Sequence, residues 1–199
     1  IKPVENNQRY SVYLQLDKII AVDNQIGKVA GELPLGNRLL DFDIDENYVF
    51  ACGRNEFDSK MVVYQNNDNG GLTYLNIIRD DYRNTCITAN DNLLIIGGNG
   101  IGDGFDGFHF QIYDLLNVLN PILLYNSQTT FEAKKTPLTA FNSLSLKDDF
   151  LIANAHDYSK KQGNVFNTYD LSNPIQPQLT NQIPCKAYYQ FFQFDETDF

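Results

Sequence analysis

One eight-residue turn occurs twice in this chain with the same internal spacing. It reads Asp114-Leu115-Leu116-Asn117-Val118-Leu119-Asn120-Pro121 and, later, Asp170-Leu171-Ser172-Asn173-Pro174-Ile175-Gln176-Pro177. Each copy follows a glycine-containing loop and an apolar strand, and each leads into a further short strand. A unit of that size cannot bury its own faces. Recurrence at roughly 50 residues therefore implies neighbours stacked on one another, and for small sheets that stack is radial, a β-propeller.

The period holds along the chain. An acidic or amide residue closing an alternating strand falls at Asp17, Gln65, Asp114 and Asp170, in steps of 48, 49 and 56. A polar residue followed by an aromatic or Leu falls at Asn47, Asn92, Asp149 and Asp198, in steps of 45, 57 and 49. Each full unit resolves into four predicted strands: 39–44, 48–52, 61–65 and 72–78; 83–89, 93–97, 108–114 and 122–126; 139–146, 150–155, 165–170 and 178–183. The segment Phe108 to Asp114 alternates Phe, Phe and Ile with His109, Gln111 and Tyr113. That is period two, the signature of a strand and not of a helix. No helix beyond about two turns is expected.

The turn chemistry fits this reading. Asp and Asn accept hydrogen bonds from backbone amides two residues on and so fix a bend. Pro121 and Pro177 then open the last strand of their units, where a residue that cannot donate to a ladder belongs on an outer edge. The chain thus divides into a partial blade (1–37), three blades (38–80, 81–135 and 136–185) and the start of another (186–199). Segment 11–17 reads as the third strand of the first, partial blade. The expectation is an all-β propeller segment of four-stranded antiparallel blades, cut from a longer polypeptide.

The repeat resembles the LVIVP-type propeller repeat, whose blades carry a strand ending in Asp and then a turn close to Ser-Asn-Pro-x-x-Pro. Asp170 to Pro177 matches closely, and Asp114 to Pro121 keeps the Asp, the Asn and the final Pro but has Val118 in place of the first. Gln65 to Gly71 carries no proline and belongs by spacing alone. The resemblance implies a secreted or cell-surface propeller and supplies no catalytic residues.

Composition narrows the partners. A net charge of −10 with scattered cations argues against nucleic acid, which needs clustered Lys and Arg. No apolar run approaches the roughly 18 residues of a membrane span. The three cysteines, Cys52, Cys86 and Cys185, lack metal-type spacing. They read as buried thiols. The alternative is a Cys52–Cys86 bridge, because propeller order puts the two on the same face of successive blades.

Two decoys need rejecting. Gly102 to Gly107 is formally G-x-G-x-x-G, but a strand follows it where a dinucleotide site needs a helix. The same loop offers Asp103 and Asp106 to calcium. The spacing misses the known calcium loops, so a flexible hairpin is the simpler reading and no cofactor is expected. His109 lies mid-strand, and His156-Asp157 enters a loop as strand neighbours, which point to opposite faces.

The leading functional reading is a non-catalytic scaffold or interaction module. It would present the loops between second and third strands to a protein partner or to the rest of its own polypeptide. Asp103, Phe105, Asp106, His156 and Asp157 are the candidate contacts, since loops on a rigid scaffold commonly carry binding. The runner-up is an enzyme using the central channel, such as a metal-assisted hydrolase, built from Asp41, Asp43, Asp45, Thr88 and Asn142. A third reading, an intracellular scaffold like WD-type propellers, lacks their Gly-His and Trp-Asp signatures.

Overall fold

The computed structural model describes residues 10–14, 18–34, 38–45, 48–54, 59–66, 72–80, 83–99, 108–127, 139–157 and 164–185. Among them lie fifteen strands, all paired antiparallel with their sequence neighbours. The chain divides into two compact units, Ile1–Asp80 and Asp81–Phe199.

The first unit holds two sheets. β1 (Tyr10–Leu14), β2 (Lys18–Asp23) and β3 (Lys28–Pro34) form a three-stranded meander. β4 (Arg38–Asp45), β5 (Tyr48–Arg54), β6 (Ser59–Asn66) and β7 (Leu72–Asp80) form a four-stranded one. The middle strand β2 buries Ile19, Ile20 and Ala21, and β5 buries Val49 through Cys52. An exposed ion pair, Lys18 Nζ to Glu32 Oε2 at 2.9 Å, ties β2 to β3 and contributes little in water.

The first unit also moves one expected boundary. The bend that closes the third strand elsewhere is made here by Asp23, whose Oδ1 accepts from Gln25 N at 2.8 Å. The third-strand role therefore belongs to Lys18–Asp23, and Tyr10–Leu14 is the strand before it; Asp17 lies outside the described residues. The physical reason is a shorter turn. Gly27 N donates to Asp23 O at 2.8 Å, and Gly27 takes a φ of 64°, which a residue without Cβ adopts freely. Five residues close the hairpin and no proline marks it.

The second unit holds two four-stranded sheets. One comprises β8 (Arg83–Ala89), β9 (Leu93–Asn99), β10 (Phe108–Asp114) and β11 (Ile122–Asn126). The other comprises β12 (Thr139–Lys147), β13 (Phe150–Asp157), β14 (Asn164–Asp170) and β15 (Gln178–Cys185). The innermost strand β12 packs on β8, β9 and β10, so the sheets lie face to face as successive blades. Alternation supplies the filling. Cys86, Leu93, Ile95, Phe110 and Ile112 of one sheet meet Leu144, Leu151, Ala153 and Leu171 of the next. The Phe110 ring sits between Tyr125 and Tyr169, with centroids 5.3 and 5.1 Å away. Burial, and then the neighbouring Tyr125, pushes the Tyr169 phenol well above its ordinary range, against a smaller pull from its hydrogen bond to Asn167.

Irregularities repeat with the blades. The register slips once between third and fourth strands in every sheet, leaving Ala30, Leu75, Leu124 and Thr180 as the extra residues. It slips again near the start of β4, β8 and β12, at Leu40, Thr85 and Asn142. Such bulges increase the local twist, and their recurrence at equivalent positions marks them as part of the blade design.

The Cys52–Cys86 bridge is not formed; both are buried thiols. Cys86 packs into the cluster shared with β12–β15, and its Sγ donates to Gly97 O of its own sheet at 3.5 Å. Cys52 sits in register opposite Asp41 and Met61 within β4–β7.

Candidate interaction surface

The loop end singled out from sequence is only partly described. Asp103, Phe105 and Asp106 lie outside the described residues. The backbone of His156 and Asp157 closes β13, with His156 in register opposite Ala140 and Asn164 and Asp157 opposite Thr139. Of the channel candidates, Asp41 is buried, and Thr88 is committed to structure: its Oγ1 accepts from Leu146 N of the next sheet at 3.2 Å. No group of three or more His, Cys, Asp or Glu suited to a metal occurs among the described residues.

The opposite end of the second unit is described in full. There the hairpins joining first to second strands lie beside the eight-residue turns joining third to fourth. Each turn is built in the same way. Asp114 Oδ1 accepts from Leu116 N at 2.7 Å, and Asp170 Oδ1 accepts from Ser172 N at 2.8 Å. The next residue is drawn inward, because Leu115 N donates to Asn92 O at 2.8 Å and Leu171 N to Asp149 O at 2.7 Å. Leu115 and Leu171 are accordingly buried, and each staples its turn to the neighbouring hairpin. A second bend follows: Asn120 N to Asn117 O at 2.9 Å, and Gln176 N to Asn173 O at 3.0 Å. The Ser172 amide and hydroxyl hold the Asp170 carboxyl below its ordinary range.

This construction turns other apolar side chains outward. Leu116 is 86% exposed, Leu119 60% and Ile175 64%. Around them stand the exposed carboxylates of Asp91, Asp148 and Asp149 and the half-buried Asp114 and Asp170, with Lys147 as the one described cation of these hairpins and turns. The hairpins are linked from sheet to sheet, since Asn90 Nδ2 donates to Asp148 O at 3.1 Å. Asp148 itself adopts a φ of 50° at the tip of its hairpin. The result is a hydrogen-bonded end that carries aliphatic groups in an acidic setting. Sequence reasoning took these turns as structural and passed over Leu116, Leu119 and Ile175. The available signal was a leucine in the turn where only its neighbour, Leu115 or Leu171, is needed for packing.

No family model matches the chain, and no curated protein sequence matches it. Solved structures do. Hydrazine synthase of Kuenenia stuttgartiensis is similar over 92% of this chain and 48% of its own, at TM-score 0.64 and 8% identity. A hypothetical selenium-binding protein of Sulfolobus tokodaii is similar over 84% and 46%, at TM-score 0.61 and 13% identity. KlAtg21, solved in complex with the coiled coil of AgAtg16, is similar over 94% and 57%, at TM-score 0.63 and 10% identity. These are β-propellers, and at such identities the likeness shows the fold: this chain has the β-propeller fold, in four-stranded antiparallel blades. It spans about half the length of the structures that it matches.

Proposed function

We propose that the chain is a non-catalytic β-propeller scaffold that holds a protein partner. The observation that carries this reading is the outward display of Leu116, Leu119 and Ile175 on turns whose backbones are pinned by Asp114, Asp170, Leu115 and Leu171. Exposed aliphatic groups on a pre-organised support lose little entropy on binding. Support also comes from KlAtg21, a propeller that was solved with a protein partner. Thr88, a channel candidate for the enzyme reading, is engaged in joining two blades. Membership of the LVIVP-type repeat family, and with it a secreted or cell-surface location, is supported by the turn Asp170 to Pro177 and, less closely, by Asp114 to Pro121. No helix among the described residues is long and apolar enough to cross a membrane.

The test compares proteins cross-linked to the full chain with those cross-linked to a Leu116→Ser/Leu119→Ser/Ile175→Ser variant that has an unchanged urea midpoint. Loss of the principal partner from the variant is the expected result. Retention of every partner would remove these turns from the interaction surface.

A further inference from the structure

Among the described residues, the outermost strands of the second unit and the turns that lead into them carry no charge beyond Asp114 and Asp170, in a chain where 20% of residues are charged. From Leu115 to Ser127 and from Leu171 to Cys185 there is no Asp, Glu, Lys, Arg or His. These stretches are the last seven residues of the two eight-residue turns, after Asp114 and Asp170, and the outermost strands β11 and β15. The outermost strands of the first unit differ: β3 carries Lys28 and Glu32, and β7 carries Arg79 and Asp80. Of the ten large apolar residues exposed among the described residues, seven lie in the two uncharged stretches. Besides the three turn residues they are Ile122, Leu123, Leu179 and Ile183. An apolar, uncharged rim on one unit alone marks an interaction face.

The form of the partner follows from what the rim refuses. An outermost strand normally invites another strand through its backbone groups. Here that route is blunted. Pro121 and Pro177 precede the two strands and Pro184 lies within β15, each without an N–H to donate. Register slips at Leu124 and Thr180 further break the regular ladder. Docking must therefore run through side chains, and the secondary structure that brings its own backbone bonds and offers an apolar stripe is an α-helix. The two turns belong to adjacent sheets, which pack about 10 Å apart. A helix of about four turns, roughly 21 Å long, reaches from one to the other. Asp91, Asp148 and Asp149 stand exposed at the same end, so the flank of that helix is basic.

We infer that this rim is the docking surface for an amphipathic helix of a protein partner, with an apolar stripe laid on Leu116, Leu119 and Ile175 and Lys or Arg beside it. The inference rests on the scaffold reading above and names its partner's form.

The probe is a labelled peptide of about 18 residues made of Leu, Ala and Lys, with leucines at helical spacing on one face. Fluorescence anisotropy against the full chain should show saturable binding. It should weaken about tenfold or more in the Leu116→Ser/Leu119→Ser/Ile175→Ser variant and a few-fold in Asp148→Asn/Asp149→Asn. Equal binding of a scrambled peptide would overturn the inference, and so would equal binding of an analogue with Glu in place of Lys. Tighter binding of an extended Val/Thr peptide would assign the rim to strand addition instead. A concentration-dependent dimer abolished by the Leu/Ile variant would assign it to a second copy. If no helical peptide binds while cross-linking to a native partner still depends on Leu116, Leu119 and Ile175, the helix fails and the scaffold reading stands.

Discussion

Of two leucines in the same turn motif, one should be costly to truncate and the other nearly neutral. Leu171 is 1% exposed and sits in the cluster between the two sheets of the second unit, whereas Leu116 is 86% exposed. Leu171→Ala deletes three carbons. At about 0.8 kcal/mol per buried methylene the transfer loss alone is about 2.4 kcal/mol. The pinned backbone limits collapse, because Leu171 N is held at 2.7 Å from Asp149 O, so part of the cavity persists. A residual void of about 40 Å³ would add about 1 kcal/mol at roughly 24 cal/mol per Å³. The expected loss is about 3–4 kcal/mol. Leu116→Ala should stay within about 0.5 kcal/mol of the parent. Urea unfolding followed by tyrosine fluorescence reads this directly, since the chain has no Trp and Tyr125 and Tyr169 border the same cluster. An unchanged slope with a lowered midpoint assigns the loss to the folded state. A Leu171→Ala midpoint matching the parent, or a Leu116→Ala midpoint falling as far, would refute the packing argument.

Acid should loosen the second turn through Asp170. Its carboxyl titrates below the ordinary range because the ionised form accepts from Ser172, so its contribution is complete above that range and disappears as pH falls through the lowered value. The difference in melting temperature between parent and Asp170→Asn should therefore shrink below about pH 4, and a difference constant with pH would contradict this. Cys52 and Cys86 should resist iodoacetamide in the native protein and both react in urea without reductant, as scored by peptide mass. A cross-linked Cys52–Cys86 peptide would show that the bridge exists after all.

Much of the blade was legible because strands and turns write their requirements locally. The alternation from Phe108 to Asp114 and the proline-ended turns placed β10, β11 and β14 within a residue of where they lie. The first sheet was misplaced by one strand because the Asp23–Gly27 hairpin keeps the bend-forming Asp but closes in fewer residues and carries no proline. The bulges at Leu124 and Thr180 had no signature at all, since a register slip depends on which residue the partner strand offers.

The interaction surface divides along the same line. Charge-free stretches, proline positions and the bend-forming Asp114 and Asp170 are properties of the chain, and any fold that keeps the turns must keep them. Whether a leucine in such a turn is anchor or display is not a local property. Leu115 and Leu116 are chemically identical neighbours, yet one is 6% and the other 86% exposed. The difference arises only when Leu115 N finds Asn92 O in the adjoining hairpin and turns its own side chain toward the core. The same holds for Cys86, whose side chain faces whichever sheet packs against it. Local sequence determined the repeating strand-and-turn unit because its hydrogen bonds close within a few residues. Burial depends on which neighbour a side chain meets, and only the tertiary structure decided that: the adjoining hairpin of its own blade for Leu115, the packing of the next blade for Cys86.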